Sequence, residues 1–302
     1  MGAAEIIAVV VAGIGLWSSI LHIREHYSKK SAAPASDASA SPVSTPASDA
    51  SASPVSTPAS GESASNAAAG TRRTLTIKDV EFSFRYCPPG TFTTGSPNGG
   101  PFGDETRRRV TLARGFWTLE TPVTQRMYRA IMGTNPSRFR LGENWPVEQV
   151  SWRDCQEFLE ALNALNVAPE GLTFRLLRET EWEYACRAGA SGANDAELPL
   201  DEAGWYRANS GNRTREVGGK RPNAWGLYDM LGNVWEWVAD RYEDGAALQL
   251  ETSGPSDGAR RVLRGGGWSD GAEYCRAACR FNSDPTYRVD NFGFRIALGV
   301  RR

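Results

Sequence analysis

Asn223–Trp237 reads NAWGLYDMLGNVWEW. Two carboxylates, Asp229 and Glu236, lie seven residues apart around the Gly232-Asn233 turn signal. Carboxylates are hard oxygen donors. The carbonyls of Gly232 and Val234 in a tight turn complete a set of the kind Ca²⁺ accepts. The alternative is a core-packing loop in which backbone N–H groups satisfy Asp229 and Glu236. Four aromatic side chains in the stretch, Trp225, Tyr228, Trp235 and Trp237, point to a segment held by ring packing.

Outward from this stretch, residues 72–302 hold nine of the ten Trp and all five Cys but neither His. A domain without histidine cannot use a Ser-His or Cys-His pair, a His-ligated zinc or HExxH chemistry. The net charge of −1 over 302 residues leaves no electrostatic footprint for nucleic acid, so no such partner is expected. Paired carboxylates for acid–base work are not evident. Glu181 and Glu183 read as the first turn of a helix instead. Gly265-Gly266-Gly267 lacks the Lys-Ser/Thr and the strand–helix context of a phosphate loop.

The N-terminal part has a different composition. After residues 1–5, Ile6–Ile23 (IIAVVVAGIGLWSSILHI) carries no Asp, Glu, Lys or Arg. This predicts a single hydrophobic helix, read as a single-pass membrane anchor at the short end of spanning length. Trp17, His22, His26 and Tyr27 suit an interfacial boundary. Arg24, Lys29 and Lys30 on its C-terminal side lean the globular part toward the cytoplasm. Residues 24–71 are rich in Ala, Ser and Pro, and Ser36–Ala47 (SDASASPVSTPA) recurs letter for letter as Ser48–Ala59. With no apolar face to stack, the repeat reads as a flexible linker.

In the remaining 72–302, Thr74–Tyr86 alternates apolar and polar residues as a strand or hairpin does, and Val110–Thr118 reads as another strand. Helices are predicted over Thr124–Met132, over Ser151–Leu165 behind a Ser cap, and over Thr180–Arg187 with Thr180 as cap and Glu183 as its capping-box partner. Little regular structure is legible beyond Gly189.

Seven segments, in order, carry a resemblance: PPGTFTTGS (88–96), ETPVTQRM (120–127), PVEQVSW (146–152), FRLLRETEWEYACRAG (174–189), NAWGLYDMLGNVWEW (223–237), RGGGW (264–268) and GFR (293–295). Together they resemble the formylglycine-generating enzyme (sulfatase-modifying factor) domain over about residues 80–299. The resemblance implies an irregular, loop-rich α+β fold related to C-type lectins. It also implies that Asp229, Gly232, Val234 and Glu236 match a calcium site of that family. Asn209 and Ser210 fall near a second such site, but no matching Asp follows.

Enzymes of the family oxidise a substrate cysteine with O₂ on copper(I) held by two cysteines, soft ligands suited to that ion. Counting back from Gly293-Phe294-Arg295, the second of these positions falls on Ala277 and the first near Ala272. Cys275 and Cys279 stand nearby with three residues between them, and form the catalytic pair only if the oxidase reading holds. The expectation is therefore a non-catalytic module that binds a protein or peptide ligand, with copper-dependent oxidation of a sulfatase cysteine as the alternative.

The same stretch suggests a contact surface. Proteins of this fold serve as variable targets of diversity-generating retroelements, in which adenines of asparagine codons are mutagenised. Ser269, Asp270, Gly271, Tyr274, Cys279, Phe281, Ser283, Tyr287, Val289, Asp290 and Phe292 are reachable from such codons, and ordinary drift explains them equally. Tyr and Phe supply contact area, while Ser, Asp and Gly supply adaptability.

Overall fold

The computed structural model describes residues 67–101, 104–189, 198–242 and 260–300. No helix among the described residues is long and apolar enough to cross a membrane. The single-pass membrane placement expected from Ile6–Ile23 is corrected accordingly. That run and the 12-residue repeat lie outside the described residues.

The alternating Thr74–Tyr86 segment is a hairpin of β1 (Arg72–Ile77) and β2 (Val80–Cys87), with Ile77 opposite Val80. Its two turn residues, Lys78 and Asp79, both have positive φ (48° and 59°), the backbone of a tight turn matched to strand twist. Phe82 and Phe84 on β2 are fully buried, each worth roughly 1.5–3 kcal/mol relative to exposure. Residues 67–71, placed in the linker by composition, already pack here: Gly70 N–H donates to the Tyr86 carbonyl and Ala67 touches the core.

The expected strand Val110–Thr118 is two strands in different sheets. β3 (Gly90–Thr94) pairs with β4 (Arg108–Leu112), and β5 (Phe116–Leu119) joins β2. Gly115 makes the break: a Cβ there would lie 2.2 Å from the Tyr86 hydroxyl. β5, β6 (Leu172–Leu176) and β11 (Ile296–Val300) complete a five-stranded sheet of order β1-β2-β5-β11-β6. A second sheet, β10-β7-β8-β9, joins Trp235–Arg241 (β7), Arg261–Arg264 (β8), Arg280–Ser283 (β9) and Phe292–Phe294 (β10). In it β10 runs parallel to β7.

Helix α1 (Gln125–Met132) is capped by Thr124, and α2 (Trp152–Ala164) by Ser151 in a capping box with Asp154. The cap predicted at Thr180 is corrected. Helix α3 (Glu179–Cys186) begins earlier, Thr180 sits inside it, and Glu181 reaches back to Arg178 N–H at 2.9 Å. This frees Glu183 for tertiary bonds. A one-turn helix α4 (Leu200–Ala203) follows. The mixed α+β, loop-rich architecture matches the expected fold class.

Candidate functional site

The 264–295 segment is held from below by buried guanidiniums. Arg264, on β8, donates to Glu183 Oε2 at 2.7 Å and to the carbonyls of Ala277 (2.7 Å), Ala278 (2.9 Å) and Cys279 (2.6 Å). Glu183 also accepts from the Thr94 hydroxyl (2.6 Å), Gly95 N–H (2.8 Å) and Arg187. Arg280 pairs with Glu179 at 2.6 Å, and Arg276 with the buried Glu105. Charges removed from water need such pairing, although Arg264 Nε is left without a hydrogen-bond partner. One polypeptide stretch is thereby clamped to β3, α3 and β8.

The loop of Asp229, Gly232, Val234 and Glu236 is organised the same way. Glu236 accepts from Arg295 Nη2 at 2.9 Å and from Trp182 Nε1 at 2.7 Å, with both charged side chains buried. Arg295 further donates to the carbonyls of Leu119 (2.8 Å) and Tyr228 (2.7 Å). Asp229, at φ 54°, accepts from Gly218 N–H at 2.7 Å and weakly from Asn233; burial pushes its carboxyl up to about 6. Gly232 is a close crossing, where a Cβ would lie 2.2 Å from the Trp205 carbonyl, and Val234 is fully buried. Among the described residues no three of His, Cys, Asp or Glu gather as around an ion. Arg295 pairs with Glu236, whereas Asp229 Oδ1 has only the 3.4 Å contact from Asn233. Asn209 caps its own turn through Tyr206 N–H, and Ser210 donates to the Trp268 carbonyl.

All five cysteines are free and buried. Burial raises the Cys275 thiol well above its ordinary value and pushes Cys279 up to about 12. Burial of this kind disfavours the thiolate, the form that reacts and ligates metals. Ala277 is buried in the Arg264 clamp, whereas Ala272 is exposed.

The eleven residues expected at the contact surface separate into two groups. Ser269, Asp270, Tyr274, Phe281, Tyr287, Val289 and Asp290 are half-buried. Gly271, Cys279, Ser283 and Phe292 are buried, which corrects their assignment as surface contacts. Phe292 packs edge-on to Trp237 and Phe281, and Phe281 lies 5.3 Å from Trp235. Asp270 accepts from Trp235 Nε1 (2.9 Å) and Gly267 N–H (2.9 Å), so its carboxylate closes the turn. Ser269 accepts from Asn291 at 3.1 Å.

Sequence reasoning missed the other wall of this face. Phe139 meets Trp268 edge-on at 5.4 Å, and Arg138 pairs with Asp290. Glu148, fully buried, accepts from Phe139 N–H at 2.7 Å; its second oxygen has no partner, and burial pushes it up to about 7. PVEQVSW was visible as a motif, but nothing in its spacing announces that Glu148 lies beside Asp290.

The Sulfatase-modifying factor enzyme 1-like domain family matches over residues 83–300. The chain is 34% identical over 175 residues to the formylglycine-generating enzyme of Streptomyces coelicolor, covering 51% of this chain and 52% of that protein. It is 31% identical over 227 residues to the inactive C-alpha-formylglycine-generating enzyme 2 of Bos taurus, covering 66% and 65%. The chain thus spans between about half and two thirds of these relatives' lengths. Among solved structures it resembles Treponema denticola variable protein 1, at 30% identity and TM-score 0.65 over 75% of this chain and 98% of that one. It also resembles PvdO from Pseudomonas aeruginosa, at 29% identity and TM-score 0.64 over 78% and 100%. The chain belongs to the sulfatase-modifying factor enzyme 1-like domain family.

Proposed function

We propose that this domain is a non-catalytic binding module that takes a protein or peptide ligand on the face formed by Ser269, Tyr274, Tyr287, Val289 and Asp290. The observation that carries it is the contrast within one segment. Its thiols are buried and disfavoured from ionising, while these residues stay partly exposed on a segment that Arg264 clamps at residues 277–279. Binding surfaces of this kind gain from a rigid support that leaves exposed positions free to change. Two resemblances favour the reading: one curated relative is named an inactive enzyme, and one structural neighbour is named a variable protein. The latter also favours diversification of the segment by a retroelement. That finer reading requires a near-identical, adenine-rich copy of the coding sequence beside a reverse transcriptase gene, and the lack of such a copy would remove it.

The test is a displayed library of the full chain with Ser269, Tyr274, Tyr287, Val289 and Asp290 randomised, selected against a model globular protein. Most members should fold and some should bind. Loss of folding across the library, or folding without any binder, contradicts the proposal.

A further inference from the structure

The contact face contains a ready-made position for a cation, and the chain's own Arg138 fills it. The Arg138 guanidinium pairs with the Asp290 carboxylate and stands 5.2 Å from the centre of the Phe139 ring. Phe139 is braced edge-on by Trp268, whose indole N–H donates to the Asp290 carbonyl at 3.0 Å. The Trp268 carbonyl is in turn held by the Ser210 hydroxyl. Beneath lies Glu148, fully buried, with one oxygen bound by Phe139 N–H and the other without a hydrogen-bond partner. The Asp290 carboxylate and the Phe139 ring therefore meet on one cation, the combination that binds a guanidinium or ammonium, with Trp268 and the buried Glu148 holding Phe139 in place.

Arg138 itself is a loose occupant. Its side chain is 64% exposed while that of Asp290 is 19% exposed, and an ion pair with so exposed a partner holds weakly. The other nearby arginines are engaged elsewhere: Arg140 on the carbonyls of Ser137 and Asn135, and Arg288 on Asp154. An acidic ligand group would meet the Asp290 charge directly beside Arg138.

Building on the binding-module reading, we propose that the face recognises an exposed Arg or Lys side chain of its protein ligand, which displaces Arg138 and pairs with Asp290 over the Phe139 ring.

The full chain labelled with fluorotryptophan tests this by ¹⁹F NMR, with the Trp268 resonance assigned through Trp268→Phe. The probes are N-acetyl-L-argininamide and its neutral isostere N-acetyl-L-citrullinamide. The argininamide should shift the Trp268 resonance saturably, several-fold more tightly in Arg138→Ala than in the unaltered chain. The citrullinamide should not shift it. The shift should vanish in Asp290→Asn, whose thermal midpoint should stay unchanged, and persist in Tyr287→Ala. Equal response to both probes, no saturable shift in Arg138→Ala, or an undiminished shift in Asp290→Asn overturns the proposal. So does a response to N-acetyl-L-aspartamide alone, which would assign Arg138 as the reader of an acidic ligand. Binders from the library without any argininamide response would remove the cation position and leave the binding module standing.

Discussion

Arg264 and Glu183 meet at 2.7 Å, Nη2 to Oε2, with side-chain exposures of 0% and 3%. The pair joins four pieces of chain distant in sequence: β3 through Thr94 and Gly95, α3, β8, and the carbonyls of residues 277–279. It converts a Gly-rich segment into a fixed frame. Removing one member strips a buried charge of its direct partner, with only Arg187 left for Glu183 and Glu179 at 3.7 Å for Arg264, so Glu183→Gln or Arg264→Met should cost about 1–3 kcal/mol in chemical denaturation. The double variant should recover part of that loss. A single variant costing well under 1 kcal/mol would show that the clamp does not exist as described.

Arg295 plays the corresponding part for the Gly226–Trp237 loop. With Glu236 neutralised from within the protein, a chelator should leave the thermal midpoint unchanged, whereas Arg295→Met should lower it by several degrees. A midpoint that falls with chelator and returns with Ca²⁺ would place the metal at Asp229 and Glu236.

Glu148 sets a pH dependence. Burial raises its folded-state value to about 7, against roughly 4.3 for an unfolded Glu; nearby Asp290 raises it further, while Arg138 and the N–H groups of residues 138 and 139 oppose the rise. The folded chain thus holds its proton more tightly than the unfolded one. The resulting stability is fully present below about pH 4 and is lost as pH rises toward 7. Glu148→Gln, which keeps the acceptor for Phe139 N–H, should flatten the slope between pH 5 and 7 and be relatively more stable at pH 8. Parallel stability profiles for the two chains would refute this.

The cysteines offer a direct chemical check. All five should resist a thiol reagent at pH 8 in the native state and react together on unfolding, because all are buried from the reagent and burial raises the thiols of Cys87, Cys155, Cys275 and Cys279. Rapid native labelling at Cys275 or Cys279 would contradict the burial described.

Local rules were legible where one segment carried the whole signal. The β1–β2 hairpin follows from alternation, and the Thr124 and Ser151 caps follow from side chains that reach their own helix. Reading failed where partners come from afar. Thr180 and Glu183 have capping-box spacing, yet Glu183 is claimed by Arg264, 81 residues away, and the helix starts at Glu179 instead. The strand β8, RVLR, is buried at all four residues and so shows no alternation. The seven ordered motifs carried the fold because they name the clamp residues themselves: Glu183, Glu236, Arg264 and Arg295. Half the contact face stayed hidden, since the partnership of Arg138 and Asp290 spans 152 residues with no pattern linking them.

The proposed role is binding rather than oxidation. Its most direct test is to incubate the full chain with copper(I), O₂ and a Cys-x-Pro-x-Arg peptide, then to weigh the peptide. With Cys275 and Cys279 buried and protonated, the peptide should return unaltered. A mass loss matching conversion of its cysteine to formylglycine would contradict the account.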